Sequence, residues 1–490
     1  MLFTTIEFVI FFITACGVFT IVKNRKFQHL FLLLASYFFF YYTSNYLVSL
    51  LVFTTLLDFY MAKMIANSSN LKYKKIFLII SLAGNLGLLG FFKYADFGIS
   101  SFSTVMTSLG FPVEVSLLEL ALPIGISFYT FQTISYTVDV YRGQLKPCKS
   151  LREFAIFVSF FPQLVAGPIL RAKDFLPQLH EKLEKFKGVD TILQIRLQDS
   201  NVKLGVTLMA FGFFKKMFVA DNVAPFVDSI FGNPVGLESF TIILGAIAFG
   251  IQIYADFSGY SDIAIGAALI MGFKIPLNFN KPFFATSPSD FWRRWHISLS
   301  LWLRDYLYIP LGGSKKSSNR TYLNLFVVMF LGGLWHGASW NIVIWGMLHG
   351  LYLVLHKLIT DKIPFLKNHS FFRTKIGVLI SIFVTQYFVF LAWLPFRISD
   401  HDAMIYSLQK YIFLDFQINE TIQLLLSEKI RVMIMITFIV LHFISYKQGD
   451  LPRKISNYRI MYWVPILIIM MLTILFFYVG NAEDFIYFKF

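Results

Sequence analysis

Apolar runs separated by short polar stretches recur along the whole chain, many approaching the roughly 20 residues a helix needs to cross a hydrocarbon core. They place segments at about His29–Tyr42, Tyr46–Met64, Ile76–Phe92, Leu117–Tyr136, Leu204–Val219 and Thr241–Tyr254. Further on they fall at about Tyr322–Leu334, Ile342–Ile359, Ile376–Phe396, Val432–Ser445 and Tyr462–Gly480. With the apolar N-terminus and interrupted stretches, this pattern predicts an all-α polytopic membrane protein of about eleven segments, some re-entrant. It reads as one transmembrane domain over residues 1–490, closed by an aromatic tail at 481–490.

Several runs are interrupted. Pro123 and Gly125 break the Leu117 segment, and Ser127, Tyr129, Thr130, Gln132 and Ser135 load its second half with polar groups. A lipid-facing helix does not carry that load, so this half is expected to line an interior. The stretch Ala155–Leu179 contains Pro162, Gly167, Pro168 and Pro177. Proline removes helix hydrogen bonds, so this stretch is either re-entrant or a simple span followed by an amphipathic surface helix. Glu181–Asn201 is the most polar stretch and belongs in water. After Tyr254, the sequence YADFSGYSDIAIGAALIMGF sets Asp256, Ser258, Tyr260, Ser261 and Asp262 ahead of a helix of small residues. The two aspartates read as structural, capping that helix or pairing with arginines of the next segment.

Composition agrees with the pattern: 57% of the residues are hydrophobic and only 14% charged. The formal net charge of +15 would suit nucleic acid, but Lys and Arg gather in short interhelical loops, as cytoplasmic loops require. No nucleic-acid partner is expected; membrane lipids are. A basic cytosolic rim also suits anionic headgroups or a phosphorylated donor. Lys72, Lys74 and Lys75, and later Lys447, Arg453, Lys454 and Arg459, mark inside loops, while the acidic connection Ser399–Glu428 reads as outside. The N-terminus lacks the basic leader of a signal peptide and reads as a retained first helix. Both termini are therefore expected outside. The two cysteines, Cys16 and Cys148, make neither a disulfide framework nor a zinc motif.

The chemistry concentrates between Asp290 and His356. This stretch opens with Arg293, Arg294, His296, Arg304 and Asp305 among Trp292, Trp295 and Trp302, and an apolar helix then runs into Trp335, His336 and Gly337. Ionisable residues inside a membrane are functional candidates by default. No HExxH occurs, and His349 and His356 share a helix face about two turns apart, too far for one ion. No metal site is expected. Acid–base chemistry remains: a neutral imidazole, with a pKa near 6.5, accepts a hydroxyl proton at neutral pH. The tryptophans suit a tunnel wall that holds an acyl group and excludes water. Arg293, Arg294 and Arg304 are expected at the cytosolic half of that tunnel. There they contact donor phosphates or pair with Asp290, Asp305, Asp256 or Asp262.

The ordered set FWRRWHISLSLWLRDYLYIPLGG and GGLWHGASWNIVIWGMLHG resembles the membrane-bound O-acyltransferases. It is most similar to their bacterial branch of alginate O-acetylation proteins and peptidoglycan O-acetyltransferases. FPQLVAGPILRAKDF, YADFSGYSDIAIG and LPIGISFYTFQTISYTVDVYRG resemble the same branch, strongest over residues 121–396. The resemblance implies helices around a central funnel or tunnel, His336 as the catalytic histidine and His296 as the second signature histidine. It implies no bound cofactor, acetyl-CoA as acyl donor entering from the cytosol, and onward transfer by a separate SGNH-type envelope O-acetyltransferase. A bacterial inner-membrane location follows, with peptidoglycan slightly favoured over an alginate-like polymer because it is the more general polymer. A D-alanyl-transferring branch is a close relative. Its small companion protein ends in an F-x-Y-F motif whose tyrosine accepts the acyl group. Here the tail DFIYFKF carries that pattern, which makes Tyr487 a candidate acyl acceptor; Lys489 and Phe490 depart from that ending. The residues alone also fit an interfacial aromatic anchor, and the whole chain also fits a transporter of a lipid-linked or anionic substrate.

Overall fold

The computed structural model describes residues 1–490 apart from 23, 114, 165–166, 185–198, 364, 366–368, 481–484 and 487–490. Most of the polar Glu181–Asn201 stretch, and Tyr487 itself, lie outside the described residues. Among the described residues the regular structure is helical, with no strand. Six described helical stretches are long and apolar enough to cross a membrane: Arg25–Asn67, Leu71–Ser108, Ser239–Ile270, Trp340–Lys362, Lys375–Arg397 and Lys429–Gln448. Ile6–Ile21 and Ile460–Phe476 are shorter apolar helices.

The chain forms two compact units, Met1–Val206 with Ala264–Pro276, and Thr207–Ile263 with Leu277–Phe490. In the first, the helices Val48–Asn67, Leu71–Leu89 and Ile126–Tyr141 pack on one another. The last of these is buried along nearly its whole length, polar residues included. Gln132, Thr133 and Thr137 on it find partners on the neighbouring helices. Asp58 accepts from Ser81 Oγ, from Asn85 Nδ2 at 2.8 Å and from Thr137 Oγ1 at 3.1 Å, and Thr133 Oγ1 donates to Asn85 Oδ1 at 3.0 Å. An intramembrane carboxylate persists because every neighbour donates to it.

The expected Leu117–Tyr136 helix is half wrong. Residues 115–122 form no helix, and Val115, Leu117, Leu118 and Leu122 are exposed. The helix begins at Ile126, after Gly125 at φ +78°, where a Cβ would meet Leu164 O at 2.5 Å. The proline-rich stretch forms two short helices, Leu151–Ser159 and Phe161–Leu164, then buried non-helical backbone from Gly167 to Leu170 and the helix Ala172–Glu184. Broken backbone is tolerated there because it lies inside protein.

Ser239–Ile270 is a single 32-residue helix whose part up to Ile263 belongs to the second unit. The expected break after Tyr254 does not occur, so Asp256 and Asp262 sit inside the helix rather than ahead of one. Among the described residues neither pairs with an arginine. Asp256 lies 2.8 Å from Lys216 Nζ, and Asp262 lies 2.6 Å from Lys215 Nζ. A polar tract stays helical here because its charges are neutralised from the side by lysines far away in sequence.

Candidate active site

The site is built on two local devices. The first is a turn between two seven-residue helices, Pro288–Arg294 and Ile297–Leu303. Ser287 caps the first helix through Asp290 N at 3.1 Å, with Pro288 at its first position, where a missing N–H does no harm. Between the helices, His296 adopts left-handed backbone, φ 43° and ψ 55°. Such a conformation costs a side-chain-bearing residue about 1–3 kcal/mol and persists only where its surroundings dictate it.

Asn278 supplies that constraint. Its backbone carbonyl accepts from Ile297 N at 2.9 Å, and its Oδ1 accepts from Ser298 N at 3.3 Å and Ser298 Oγ at 2.9 Å. The same Oδ1 lies 3.2 Å from His296 Nδ1. Because a backbone N–H also points at it, this atom is the amide oxygen, and Nδ1 of His296 must carry the proton it donates. Nε2 then keeps the lone pair, so Asn278 sets both the tautomer and the direction of the ring. His296 is fully buried in this turn, outside the six spans, and burial pushes its imidazole down, to about 3. It is therefore uncharged at neutral pH.

The second device is a tight helical hairpin. The helix Ser318–His336 ends at His336, and Ser339 caps the next helix, Trp340–Lys362, through Ile342 N at 3.4 Å. The two helices touch backbone to backbone at Gly333 and Gly346. A Cβ on Gly346 would meet Met329 O at 2.6 Å and Gly333 Cα at 2.8 Å. Small residues are what allow such an approach between membrane helices. Gly346→Val is expected to destabilise the protein by about 1–3 kcal/mol, since neither backbone can yield. Thermal unfolding in detergent checks this, and an unchanged midpoint would show that the hairpin tolerates separation.

Together the two devices place the His296 and His336 rings 6.2 Å apart. His336 is 3% exposed and ringed by Trp335 and Trp345, each at 4.9 Å, and by Phe396 at 5.8 Å. Behind Trp345, His349 packs against Phe291 and Trp292. Beside the pair, a cavity of about 680 Å³ is lined by Gly337, Ala338 and Ser339, and also by Gln252, Phe396 and Ile486. The ion pair Asp228–Arg397 stands at its wall. A lining of mixed apolar and polar groups suits a small acyl group, and the burial of both rings keeps bulk water from the imidazoles.

The candidate residues divide into two groups. Trp292, Trp295 and Trp335 are buried with the histidines; Trp295 lies between Phe279 and Trp393, and Trp335 lies 6.1 Å from His296. Arg294 pairs with Asp290 at 3.0 Å and Arg304 with Asp305 at 2.6 Å, while Arg293 is exposed. Asn278, Trp345 and Phe396 belong to the site without having been singled out. Asn278 lies 18 residues before His296 in a segment with no pattern that marks it. Among the described residues, no group of three or more His, Cys, Asp or Glu could hold a metal ion.

A scaffold with membrane-length apolar helices thus buries two histidines among aromatic rings. The profile of the membrane-bound O-acyltransferase family matches residues 148–394, and the chain belongs to that family; it is a multi-pass membrane protein and an acyltransferase. Among curated proteins it is similar to the probable alginate O-acetylase AlgI of Pseudomonas putida, 42% identical over 69% of this chain and 67% of the relative. It is similar to the peptidoglycan O-acetyltransferase of Helicobacter pylori, 35% identical over 78% of this chain and 73% of the relative. The teichoic acid D-alanyltransferase of Streptococcus thermophilus is 30% identical over 48% of this chain and 56% of the relative.

Proposed function

We propose that this protein moves acetyl groups from a cytosolic donor, acetyl-CoA, across a bacterial cytoplasmic membrane for O-acetylation of an envelope polysaccharide. The observation that carries the proposal is the buried His296–His336 pair, with a cavity lined by Gly337 and Phe396 next to it. His336 acts as general base: its neutral imidazole takes the proton of an acceptor hydroxyl as that oxygen attacks the thioester carbonyl. The proton then passes to the leaving thiolate, which gives an ester and free CoA thiol. His296, oriented by Asn278, positions the reacting group. Arg293, exposed near the site, is available to the donor phosphates; Arg294 and Arg304, held by carboxylates, contribute to structure.

The first acceptor is Tyr487. Its neighbour Ile486 lines the cavity that Gly337 also lines, which supports delivery of the next residue to His336. From the tyrosine ester, an SGNH-type transferase outside the membrane takes the acetyl group. Both termini then face outward, as the loop charges require. Peptidoglycan and an alginate-like polymer are the acceptors in question. Generality favours the first, and the higher identity to the alginate relatives favours the second.

A strain lacking the protein is expected to lose O-acetyl esters from one polymer, measured separately on muropeptides and on exopolysaccharide. Loss of D-alanyl esters instead would move the protein to the D-alanyl branch. Unchanged esters on every polymer would overturn the reading. Purified protein that consumes no acetyl-CoA thioester and yet moves a lipid-linked substrate would make it a transporter.

A further inference from the structure

The described end of the chain turns inward. The last helix, Ile460–Phe476, has no buried residue, yet Phe485 is 1% and Ile486 6% exposed. Two features of the Ser239–Ile270 helix receive them. The Phe485 ring sits 4.6 Å from that of Tyr260 and 5.6 Å from that of Phe257, and Phe257 in turn lies 4.8 Å from the His296 ring. The amide of Ile486 donates to Asp256 Oδ2 at 2.8 Å, in a buried setting. The other Asp256 oxygen faces Lys216 Nζ at 2.8 Å, and Lys216 also reaches Asp221 at 2.7 Å.

We propose that Asp256 is a positioning residue that seats the C-terminal tail against the histidine pair. Its carboxylate has two tasks. One oxygen neutralises Lys216, which keeps the charge tolerable away from water. The second accepts a charge-assisted hydrogen bond from the tail backbone, stronger than a neutral one and stronger still in a low dielectric. Tyr260, one turn along on the same helix face, holds the Phe485 ring. The seat recognises backbone direction and one aromatic ring, and it stops the chain one residue short of Tyr487. Its bearing on acyl transfer rests on the reading of Tyr487 given above; the seating itself does not.

The test uses the full chain in detergent, with Cys16 and Cys148 replaced by serine and Ile486→Cys as reporter. This cysteine is expected to resist a maleimide in the parent and to react at least about tenfold faster with Asp256→Ala or the volume-filling Asp256→Leu, since a lost bond to a charged group shifts such an equilibrium by that order. Asp256→Asn keeps an acceptor oxygen for the amide and is expected to stay protected. A carboxylate serving only as counter-ion to Lys216 would lose its effect equally in all three. Protection that survives Asp256→Ala and Asp256→Leu, or exposure in Asp256→Asn equal to theirs, overturns the proposal. Hydrogen exchange of the C-terminal peptide in the unaltered protein is a second measure that no folding defect can obscure: a slow Ile486 amide is expected, and a fast one overturns the seat. Neither measurement involves acetyl transfer. A seated tail whose Tyr487 never carries acetyl would therefore leave this proposal standing and remove the acceptor reading instead.

Discussion

His336→Ala is expected to lower acetyl transfer by about two to four orders of magnitude, the usual contribution of a positioned general base. The effect should be large because no other group described at the site can replace it directly. His349 packs on Phe291 and Trp292, and burial lowers the pKa of the His296 imidazole, which leaves its free Nε2 a weak base. The fold should survive, because the ring sits among aromatic side chains and its helix ends on a backbone bond, from Gly337 N to Gly333 O, rather than on the imidazole. Transfer from labelled acetyl-CoA and elution as a single species in detergent are the paired measurements. A folded variant with near-normal transfer would remove His336 from the chemistry. His296→Ala is expected to be severe but less complete, since that residue positions rather than abstracts.

Tyr487→Phe is expected to reduce polysaccharide acetylation to background while leaving the protein folded, because it deletes one oxygen and keeps the ring. A phenol with pKa about 10 is a poor nucleophile at neutral pH unless a base takes its proton. That requirement links this variant to His336: either substitution should abolish acetyl on the C-terminal peptide. Mass spectrometry of that peptide after incubation with labelled donor reads the ester directly. Full polysaccharide acetylation by Tyr487→Phe would leave the tail as an aromatic anchor alone.

The central stretch stood out in the sequence because histidines and tryptophans crowd there between apolar runs. The two helices that flank His336 were also legible as the apolar runs Tyr322–Leu334 and Ile342–Ile359, while their backbone contact at Gly333 and Gly346 was not. Other features were not. Asp256 and Asp262 looked like a helix start because a polar tract usually breaks an apolar segment, yet Lys215 and Lys216 neutralise them inside one continuous helix. The segment from Leu117 looked like a span by hydropathy, but the helix starts only at Ile126, where Gly125 lets the chain approach Leu164. On that helix Thr133 and Thr137 found partners in Asn85 and Asp58, which no spacing along the chain connects.

By itself the sequence determined that this is a helical membrane protein, because each span needs only its own apolar run and its own internal hydrogen bonds. It also marked Asp290–His356 as the stretch where histidines, arginines and tryptophans gather. Tertiary structure decided the 6.2 Å separation of the two histidine rings, the tautomer imposed by Asn278 and the anchoring of the tail on Asp256. These are pairwise relations between residues as far as 230 positions apart, and no local preference encodes them. They arise only when glycine contacts, aromatic packing and buried charges are satisfied together.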